Sequence, residues 1–249
     1  MGNFMPHVYD KDYYSYRNEK TQISAEQVLG MLKIFFKSSI VLDLGCGTGT
    51  WAAQALKLGA KKVIGVDGPW VDETLLEIDP SAFLKCDLRN GPPNLDENFS
   101  FTIWLENAEH LPLRIGENIL NWVCTKSDFI LFSAAIPGQA GKGHCNEQWQ
   151  SFWARKFKEN GFKIYDFIRS SIWSNTEIPY WYKQNILFYV KPRNKNDDLL
   201  SIQEIDDLGK LDLIHPDKWI KQINKKFGTK QSFKLLIQSI REKVQLFVS

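Results

Sequence analysis

Two glutamates and a histidine at the end of a predicted strand are the side chains best suited to chemistry. Glu106, Glu109 and His110 follow the strand Phe99–Leu105, and a second histidine, His144, lies in a glycine-containing loop. If the chain turns helically after the strand, the first three side chains leave one side of a single turn. Because carboxylates and imidazoles bind divalent metals and an imidazole can act as a base, the pattern indicates metal-assisted or acid–base chemistry.

These residues also have simpler interpretations. A glutamate after the strand could cap the following helix, and His110 could be a general base or a packed residue. His144 could be a ligand, a general base or a loop residue that precedes Asn146, which we predict to be the N-cap of the next helix. Glu147 and Gln148 fit the first turn of that helix better than a ligand role.

A glycine-rich turn follows an earlier predicted strand. Residues 41–50 read VLDLGCGTGT and lead into a predicted helix. Glycines allow a tight turn and the close approach of a ligand to the backbone, and the helix N-terminus offers free N–H groups. The spacing G-x-G-x-G after Asp43 differs from the G-x-G-x-x-G of dinucleotide-binding folds. The turn therefore predicts a nucleotide-type ligand that is not a dinucleotide.

Two further acids follow the next two predicted strands. Asp67 ends the second strand, where a carboxylate that holds ribose hydroxyls is expected about 20 residues after the glycine turn. Asp87 ends the third strand. Since ligands of parallel sheets bind beyond the carboxyl ends of the strands, these acids indicate one binding edge.

The pattern Asp-x-Gly-x-Gly-x-Gly resembles motif I of the class I methyltransferases that use S-adenosylmethionine. The resemblance implies that Asp67 holds the ribose, that Asp87 contacts the adenine, and that an acidic residue complements the sulfonium charge. Trp70 would pack beside the adenosine. The donor-binding residues implied in this way are Asp43, Gly45, Cys46, Gly47, Gly49, Asp67, Gly68, Asp87, Leu88 and Glu106.

The Glu-x-x-Glu-His…His pattern resembles the metal-dependent O-methyltransferases, which include enzymes of small-RNA 3′ ends and, in part, of the ubiquinone pathway. This resemblance covers roughly residues 38–168. It implies that Glu106, Glu109, His110 and His144 bind a divalent ion such as magnesium or manganese, and that Glu109, His110 and His144 are catalytic. An alcohol has a pKa of about 16, and a coordinated ion can lower the pKa of bound water to about 7, so a metal would favour an alkoxide.

Strands and helices alternate along the part of the chain that carries these residues. This order predicts an α/β, Rossmann-like, doubly wound fold with a mostly parallel seven-stranded sheet and an antiparallel last strand. Ser24 and Gln27 form a potential capping box for an N-terminal helix. The predicted strands are Ile40–Leu44, Lys62–Val66, Phe83–Cys86, Phe99–Leu105, Asp128–Ser133, Phe162–Phe167 and Asn185–Val190. Predicted helices cover Trp51–Leu58, Ile115–Val123 and residues 146–160, where Gly161 ends the last one.

The character of the chain changes after residue 190. We predict a methyltransferase domain over residues 1–190, with an N-terminal helical extension, and a basic helical extension over 191–249. The extension has 12 Lys and Arg against 8 Asp and Glu. Its last stretch, Gln231–Phe247, has helical spacing, and it could be a docked helix or a basic face for a polyanion.

Composition excludes several classes of protein. The 249 residues include 43% hydrophobic and 24% charged residues, which excludes wholesale disorder. The net charge of +2 does not favour a nucleic-acid partner, and no apolar run is long enough to cross a membrane. The N-terminus lacks a signal-peptide core and the four cysteines are scattered, so we expect a cytoplasmic protein without a membrane partner, in which an oligomer is possible.

An aromatic-rich segment is the candidate acceptor surface. Residues 172–184 read IWSNTEIPYWYKQ, which suits stacking on flat groups or sugar rings. Trp149, Trp153 and the N-terminal tyrosines could contribute, although any of them could be core. The chain resembles bacterial sugar methyltransferases, so the expected acceptor is a sugar of a surface-polysaccharide precursor or another small molecule. The alternatives are 2′-O-methylation of an RNA 3′ end and a non-catalytic S-adenosylmethionine-binding module.

Overall fold

A seven-stranded sheet with the order β3-β2-β1-β4-β5-β7-β6 organises the chain in the computed structural model. The strands are Ile40–Leu44 (β1), Lys62–Asp67 (β2), Phe83–Lys85 (β3), Phe99–Leu105 (β4), Ser127–Ser133 (β5), Lys163–Tyr165 (β6) and Leu187–Val190 (β7). The first five strands pair with one another in parallel, and β7 is antiparallel to both β5 and β6. The predicted Rossmann-like, mostly parallel sheet with an antiparallel last strand is confirmed.

The part of the chain that the structure describes also contains seven α-helices and several 3-10 turns. The helices are Lys11–Met31 (α1), Thr50–Lys57 (α2), Leu113–Lys126 (α3), Gln150–Glu159 (α4), Phe167–Ile172 (α5), Tyr180–Asn185 (α6) and Pro216–Ile223 (α7). The 3-10 turns are Lys33–Phe35, Glu73–Leu75, Pro80–Ala82, Leu88–Asn90, Ala108–His110 and Leu208–Leu211.

The structure describes residues 11–192 and 202–223, with side chains from 19 to 192 and from 202 to 220. The chain forms two compact units, Met1–His215 and Pro216–Ser249. The division predicted at residue 191 stays a prediction. The predicted helix Gln231–Phe247 and the side chains of the N-terminal tyrosines lie outside the described residues. Within these residues, no helix is long and apolar enough to cross a membrane.

Alternating side chains of the central strands form two hydrophobic layers, one on each face of the sheet. On β4, Phe101 and Ile103 pack with α1, α2 and α5, whereas Trp104 packs with α3 and α4. Each of these three side chains is fully buried. Burial of a large apolar side chain contributes about 1.5–3 kcal/mol, so helices on both faces are needed to cover such a sheet.

Two of the predicted helix starts are wrong. Ser24 lies inside α1, where its Oγ donates to the Lys20 carbonyl at 2.6 Å, so it caps nothing. Asn146 precedes α4 by four residues, and its Nδ2 donates to the Ala108 carbonyl at 3.4 Å. In both cases a hydrogen bond to a carbonyl replaces the expected bond to a free helix N–H. The end of α4 at Gly161, which has a φ of 83°, is confirmed.

Candidate functional site

The glycine turn lies at the carboxyl end of β1, beside the end of β2. Gly45, Gly47 and Gly49 have φ angles of 69°, 55° and 85°, which side-chain-bearing residues rarely adopt. The Gly45 N–H donates to the Val66 carbonyl at 2.8 Å, so the turn starts from the β1–β2 ladder. A side chain at Gly45 would overlap that of Asn107, which follows β4. Close approach of the glycine turn and the segment after β4 therefore requires glycine at this position.

Asp43 lies beneath this turn and is buried. Its Oδ2 accepts the Ala52 N–H of α2 at 3.1 Å. Burial raises the pKa of the Asp43 carboxyl from 3.8 to about 7. Asp43 therefore joins the end of β1 to the start of α2. The neighbouring Cys46 thiol is also buried, and burial raises its pKa well above 9.0.

Asp67 faces the glycine turn from the end of β2. One carboxylate oxygen accepts the Gly47 N–H at 2.8 Å and the other accepts the Gly68 N–H at 2.6 Å. Burial raises the pKa of the Asp67 carboxyl, while these hydrogen bonds and one from the Trp70 side chain oppose that shift. A carboxylate with two oxygens has capacity for further donors, so Asp67 can also accept bonds from a ligand hydroxyl.

Trp70 and Asp87 form an edge of the same region through Arg89. The Arg89 guanidinium lies 4.8 Å from the centroid of the exposed Trp70 ring. It also pairs with Asp87 through both carboxylate oxygens, with an Nη2–Oδ2 distance of 2.6 Å. The hydrogen bond from Arg89 lowers the pKa of the Asp87 carboxyl. Leu88 is buried next to this pair. The roles in donor binding that we predicted for Trp70, Asp87 and Leu88 stay predictions.

Glu77 was missed by the sequence reasoning. Its Oε1 accepts the Thr50 hydroxyl at 2.5 Å, and its N–H donates to the Thr48 carbonyl at 2.8 Å. Its Oε2 accepts the Gln22 side chain of α1 at 3.1 Å. Glu77 therefore fastens the N-terminal helix to the glycine turn. No sequence signal pointed to it, because these contacts connect residues far apart in the chain.

The chain after β4 does not turn helically at once, as we expected. Glu106 has a φ of 48°, and its N–H donates to the Ser133 carbonyl at 3.0 Å, which extends the β4–β5 ladder by one residue. The 3-10 turn begins at Ala108 and ends at His110. The predicted single helical turn from Glu106 to His110 is therefore wrong.

Two amide side chains hold the Glu106 carboxylate. Its Oε1 accepts from Asn185 at 3.0 Å and its Oε2 accepts from Gln139 at 3.1 Å. Gln184 joins this buried network by donating to Gln139 Oε1 at 3.0 Å. Burial raises the pKa of the Glu106 carboxyl, and the hydrogen bonds oppose the shift. Glu106 is not among the residues whose ligand atoms lie within 4.8 Å of one another, and its predicted role as a metal ligand stays a prediction.

Three predicted ligands do come together. One ligand atom from each of Glu109, His110 and His144 lies within 4.8 Å of the other two. The two imidazole rings are 4.9 Å apart and nearly perpendicular, and His144 Nε2 is 4.0 Å from Glu109 Oε1. Glu109 is buried, and its Oε2 has no hydrogen-bond partner among the described residues. Burial and the charge of Glu106 raise the pKa of the Glu109 carboxyl.

This donor set fits a divalent cation. A buried carboxylate oxygen without a partner is costly, and a cation bound to it would remove that cost. One oxygen and two imidazole nitrogens suit manganese, iron, cobalt or zinc better than magnesium, which prefers oxygen ligands. Glu109, His110 and His144 are therefore candidate ligands of one metal ion.

The loop over residues 136–148 brings His144 to this cluster. The Glu109 carbonyl accepts the Cys145 and Asn146 N–H groups at 2.9 and 3.1 Å, which ties the loop to the 3-10 turn. Glu147 Oε1 bonds His144 Nδ1 at 2.7 Å. Glu147 lies in the loop and precedes α4, so its predicted place in the first helical turn is wrong.

An open cavity of about 430 Å³ adjoins His144, and it is lined by Ala140, Gly141, His144, Cys145, Asn146 and Glu147. Tyr180, at the start of α6, lies near this region. Burial raises the pKa of its hydroxyl, and the charges of Glu106 and Glu147 add to the shift. Of the other aromatic candidates, Trp149 is exposed, whereas Trp153 is buried in the core and cannot contact an acceptor.

A family model of FtsJ-like methyltransferases matches residues 24–99, which is less than half of the chain. A ribosomal protein L11 methyltransferase of Agathobacter rectalis is 41% identical over 51 residues, 20% of this chain and 16% of that protein. Protein arginine N-methyltransferase 1 of Saccharomyces cerevisiae is 40% identical over 72 residues, 27% of this chain and 21% of that protein. The chain thus matches about a fifth or less of the length of these two relatives.

Solved methyltransferase structures are similar to this chain over most of its length. Magnesium protoporphyrin IX methyltransferase from Synechocystis PCC 6803 with bound SAH has a TM-score of 0.53 at 16% identity, covering 74% of this chain and 89% of that one. Human N-acetylserotonin methyltransferase in complex with SAM has a TM-score of 0.51 at 14% identity, covering 72% and 55%. The chain has the fold of the class I S-adenosylmethionine-dependent methyltransferases.

Proposed function

We propose that this chain is an S-adenosylmethionine-dependent O-methyltransferase that modifies a hydroxyl of a sugar or another small molecule with the help of a divalent metal. The observation that carries the proposal is the convergence of Glu109, His110 and His144 on one point. The contact between Gly45 and Asn107 keeps the segment that bears Glu109 and His110 beside the glycine turn. The chain can therefore hold a methyl donor and activate an alcohol at the same edge of the sheet.

Residues at the ends of β1 and β2 would bind the donor. Asp67 is partly exposed and already fixes the Gly47 and Gly68 N–H groups, so it is well placed to accept the ribose hydroxyls. Gly45 and Gly47 leave the backbone of the turn accessible to the amino-acid part of the donor. Asp43 supports this surface from below by its bond to Ala52.

Glu109, His110 and His144 would hold the metal ion. When bound, a divalent ion would lower the pKa of the acceptor hydroxyl and stabilise the developing negative charge on its oxygen. Glu106 is held by Gln139 and Asn185, so we assign it a donor-facing role in preference to the ligand role that we had also expected.

The imidazoles would also supply the base that accepts the proton of the acceptor hydroxyl. The acceptor oxygen forms a bond to the methyl carbon while the sulfur–carbon bond breaks, which leaves S-adenosylhomocysteine. A neutral imidazole nitrogen with a free lone pair accepts a proton, so His110 or His144 would take the hydroxyl proton when its nitrogen is not bound to the ion.

The cavity beside His144 favours an acceptor without phosphate groups at its reacting end. Among its lining residues are the carboxylate of Glu147 and the amide of Asn146, and none is a lysine or an arginine. Phosphates there would lie beside a carboxylate, and no side chain of this lining would neutralise them. Methylation of an RNA 3′ end therefore stays the less favoured alternative, and its outcome is part of the test below.

Mass spectrometry of products from an acceptor panel, with and without EDTA, tests the proposal. The panel contains free sugars, nucleotide-activated sugars, small RNAs with a 3′ diol, and peptides. The proposal expects a methylated sugar hydroxyl whose formation EDTA abolishes and added Mn²⁺ restores. Methylation of RNA alone, with binding that falls steeply with salt, would favour the alternative. Donor binding without any product from the panel would favour a binding module.

A further inference from the structure

We propose that Glu147 is a positioning residue that fixes the ring orientation and the tautomer of His144. The purpose of this arrangement rests on the proposed function, but the arrangement itself can be measured without any acceptor. The carboxylate of Glu147 lies 2.7 Å from His144 Nδ1. An ionised carboxylate can only accept hydrogen bonds, so Nδ1 carries the hydrogen and a neutral His144 ring keeps its lone pair on Nε2.

The lone pair on Nε2 is aimed at the cluster described above. Nε2 is the ring nitrogen that lies 4.0 Å from Glu109 Oε1. A side chain at Gly141 would overlap this nitrogen, so the absence of one leaves space for the ring. An added Cβ at Gly143 would be 3.4 Å from His110 Nδ1. Two glycines therefore allow both imidazoles to approach the loop closely.

Glu147 is itself held in place from several directions. Its Oε2 accepts the Gly138 N–H at 2.8 Å, and its Oε1 accepts the Ala140 N–H at 2.7 Å. Its side chain is 19% exposed, compared with 55% for the surface residue Glu177. The side chain therefore cannot move away from His144 without losing two main-chain hydrogen bonds. This anchoring separates Glu147 from a surface carboxylate that pairs with a histidine only transiently.

A carboxylate behind an imidazole has a recognised chemical effect. It orients the ring, fixes the tautomer and makes the opposite nitrogen a better electron-pair donor. Loss of such an outer partner typically lowers metal affinity about 10- to 100-fold. The same lone pair would serve His144 as a metal ligand or as the acceptor of a proton, so the inference does not depend on which of the two roles it has.

Nitrogen-15 NMR of the histidine side chains tests the tautomer directly. The chain has four histidines, so the His144→Ala variant assigns the His144 signals. We expect the Nδ1–H tautomer for neutral His144 in the wild-type protein and a mixture of tautomers in Glu147→Ala. Glu147→Gln should keep the Nδ1–H tautomer, because its amide oxygen can still accept the hydrogen bond. A wild-type ring in the Nε2–H form would overturn the inference, even if Glu147→Ala failed to fold.

Calorimetry with Mn²⁺ tests the consequence for the cluster. We expect Glu147→Ala to bind Mn²⁺ about 10- to 100-fold more weakly than the wild type, with a smaller loss in Glu147→Gln. Glu97→Ala is the matched control, since Glu97 pairs with Lys62 at the opposite edge of the sheet. Wild-type affinity and tautomer in Glu147→Ala would overturn the inference. If the wild type bound no Mn²⁺ while Glu147→Ala still changed the tautomer, the metal part of the proposed function would fail and the positioning role would stand.

Discussion

Replacement of Asp67 by Asn should weaken the binding of S-adenosylmethionine while the fold is retained. The Asp67 carboxylate accepts two main-chain N–H groups of the donor region, from Gly47 at 2.8 Å and Gly68 at 2.6 Å. An asparagine at this position has one oxygen and one NH₂ group, so it can accept only one of the two bonds. In the proposed complex the carboxylate also accepts the ribose hydroxyls of the donor, and the substitution should cost one such bond. A hydrogen bond to a charged group contributes about 1.5–3 kcal/mol. At about 1.4 kcal/mol for each factor of ten, the dissociation constant should rise about 10- to 150-fold.

Isothermal titration calorimetry with S-adenosylmethionine measures this change. Asp96→Asn is the matched control, because Asp96 is exposed in the loop before β4, away from the carboxyl ends of the strands. The control should bind like the wild type, and circular dichroism should show the same fold in all three proteins. Unchanged affinity in Asp67→Asn, or an equal loss in both variants, would refute the reasoning.

Three further predictions concern other parts of the site. His110→Ala should keep the wild-type affinity for S-adenosylmethionine and lose about 10²- to 10⁴-fold in turnover of an acceptor found by the panel. An equal loss of donor affinity would show that His110 does not act on the acceptor alone. Gly141→Ala should displace the His144 ring, since the new methyl group would overlap Nε2, and turnover assays should show a loss while calorimetry shows intact donor binding. Burial raises the pKa of the Asp43 carboxyl from 3.8 to about 7 in the folded protein. The folded protein therefore holds this proton more tightly than the unfolded chain does. The resulting contribution to the free energy of unfolding is complete below about pH 4 and is lost as the pH rises through about 7. The free energy of unfolding of the wild type, measured with urea, should therefore fall by up to about 4 kcal/mol across this window relative to that of Asp43→Asn. If the free energies of the two proteins changed with pH in parallel, the raised pKa of Asp43 would be wrong.

The strands and the glycine turn were predictable because their signals are local. β1 and β4 are short apolar runs bounded by turn residues, and Gly161 ends a helix in the left-handed conformation that glycine favours. Parallel strands also place their carboxyl ends at one edge, so Asp43 and Asp67 could be assigned to that edge from spacing alone. This part of the prediction needed no knowledge of contacts between distant residues.

The parts that could not be predicted depend on contacts between distant segments. Glu106 adopts a left-handed conformation and bonds to Ser133, whereas a local reading predicts continuous helix. Asn146 has the residue type of an N-cap, but it bonds to the Ala108 carbonyl instead. The error at Asn146 placed Glu147 in a helix and concealed its bond to His144.

The distance between the bound donor and the metal cluster is the most direct test of the account. Mn²⁺ is paramagnetic, so an ion held by Glu109, His110 and His144 should strongly broaden the NMR signal of the transferable methyl group in bound S-adenosylmethionine. The account predicts this broadening in the wild type and its disappearance in His144→Ala at the same Mn²⁺ concentration. A sharp methyl signal in a wild-type protein saturated with both S-adenosylmethionine and Mn²⁺ would contradict it.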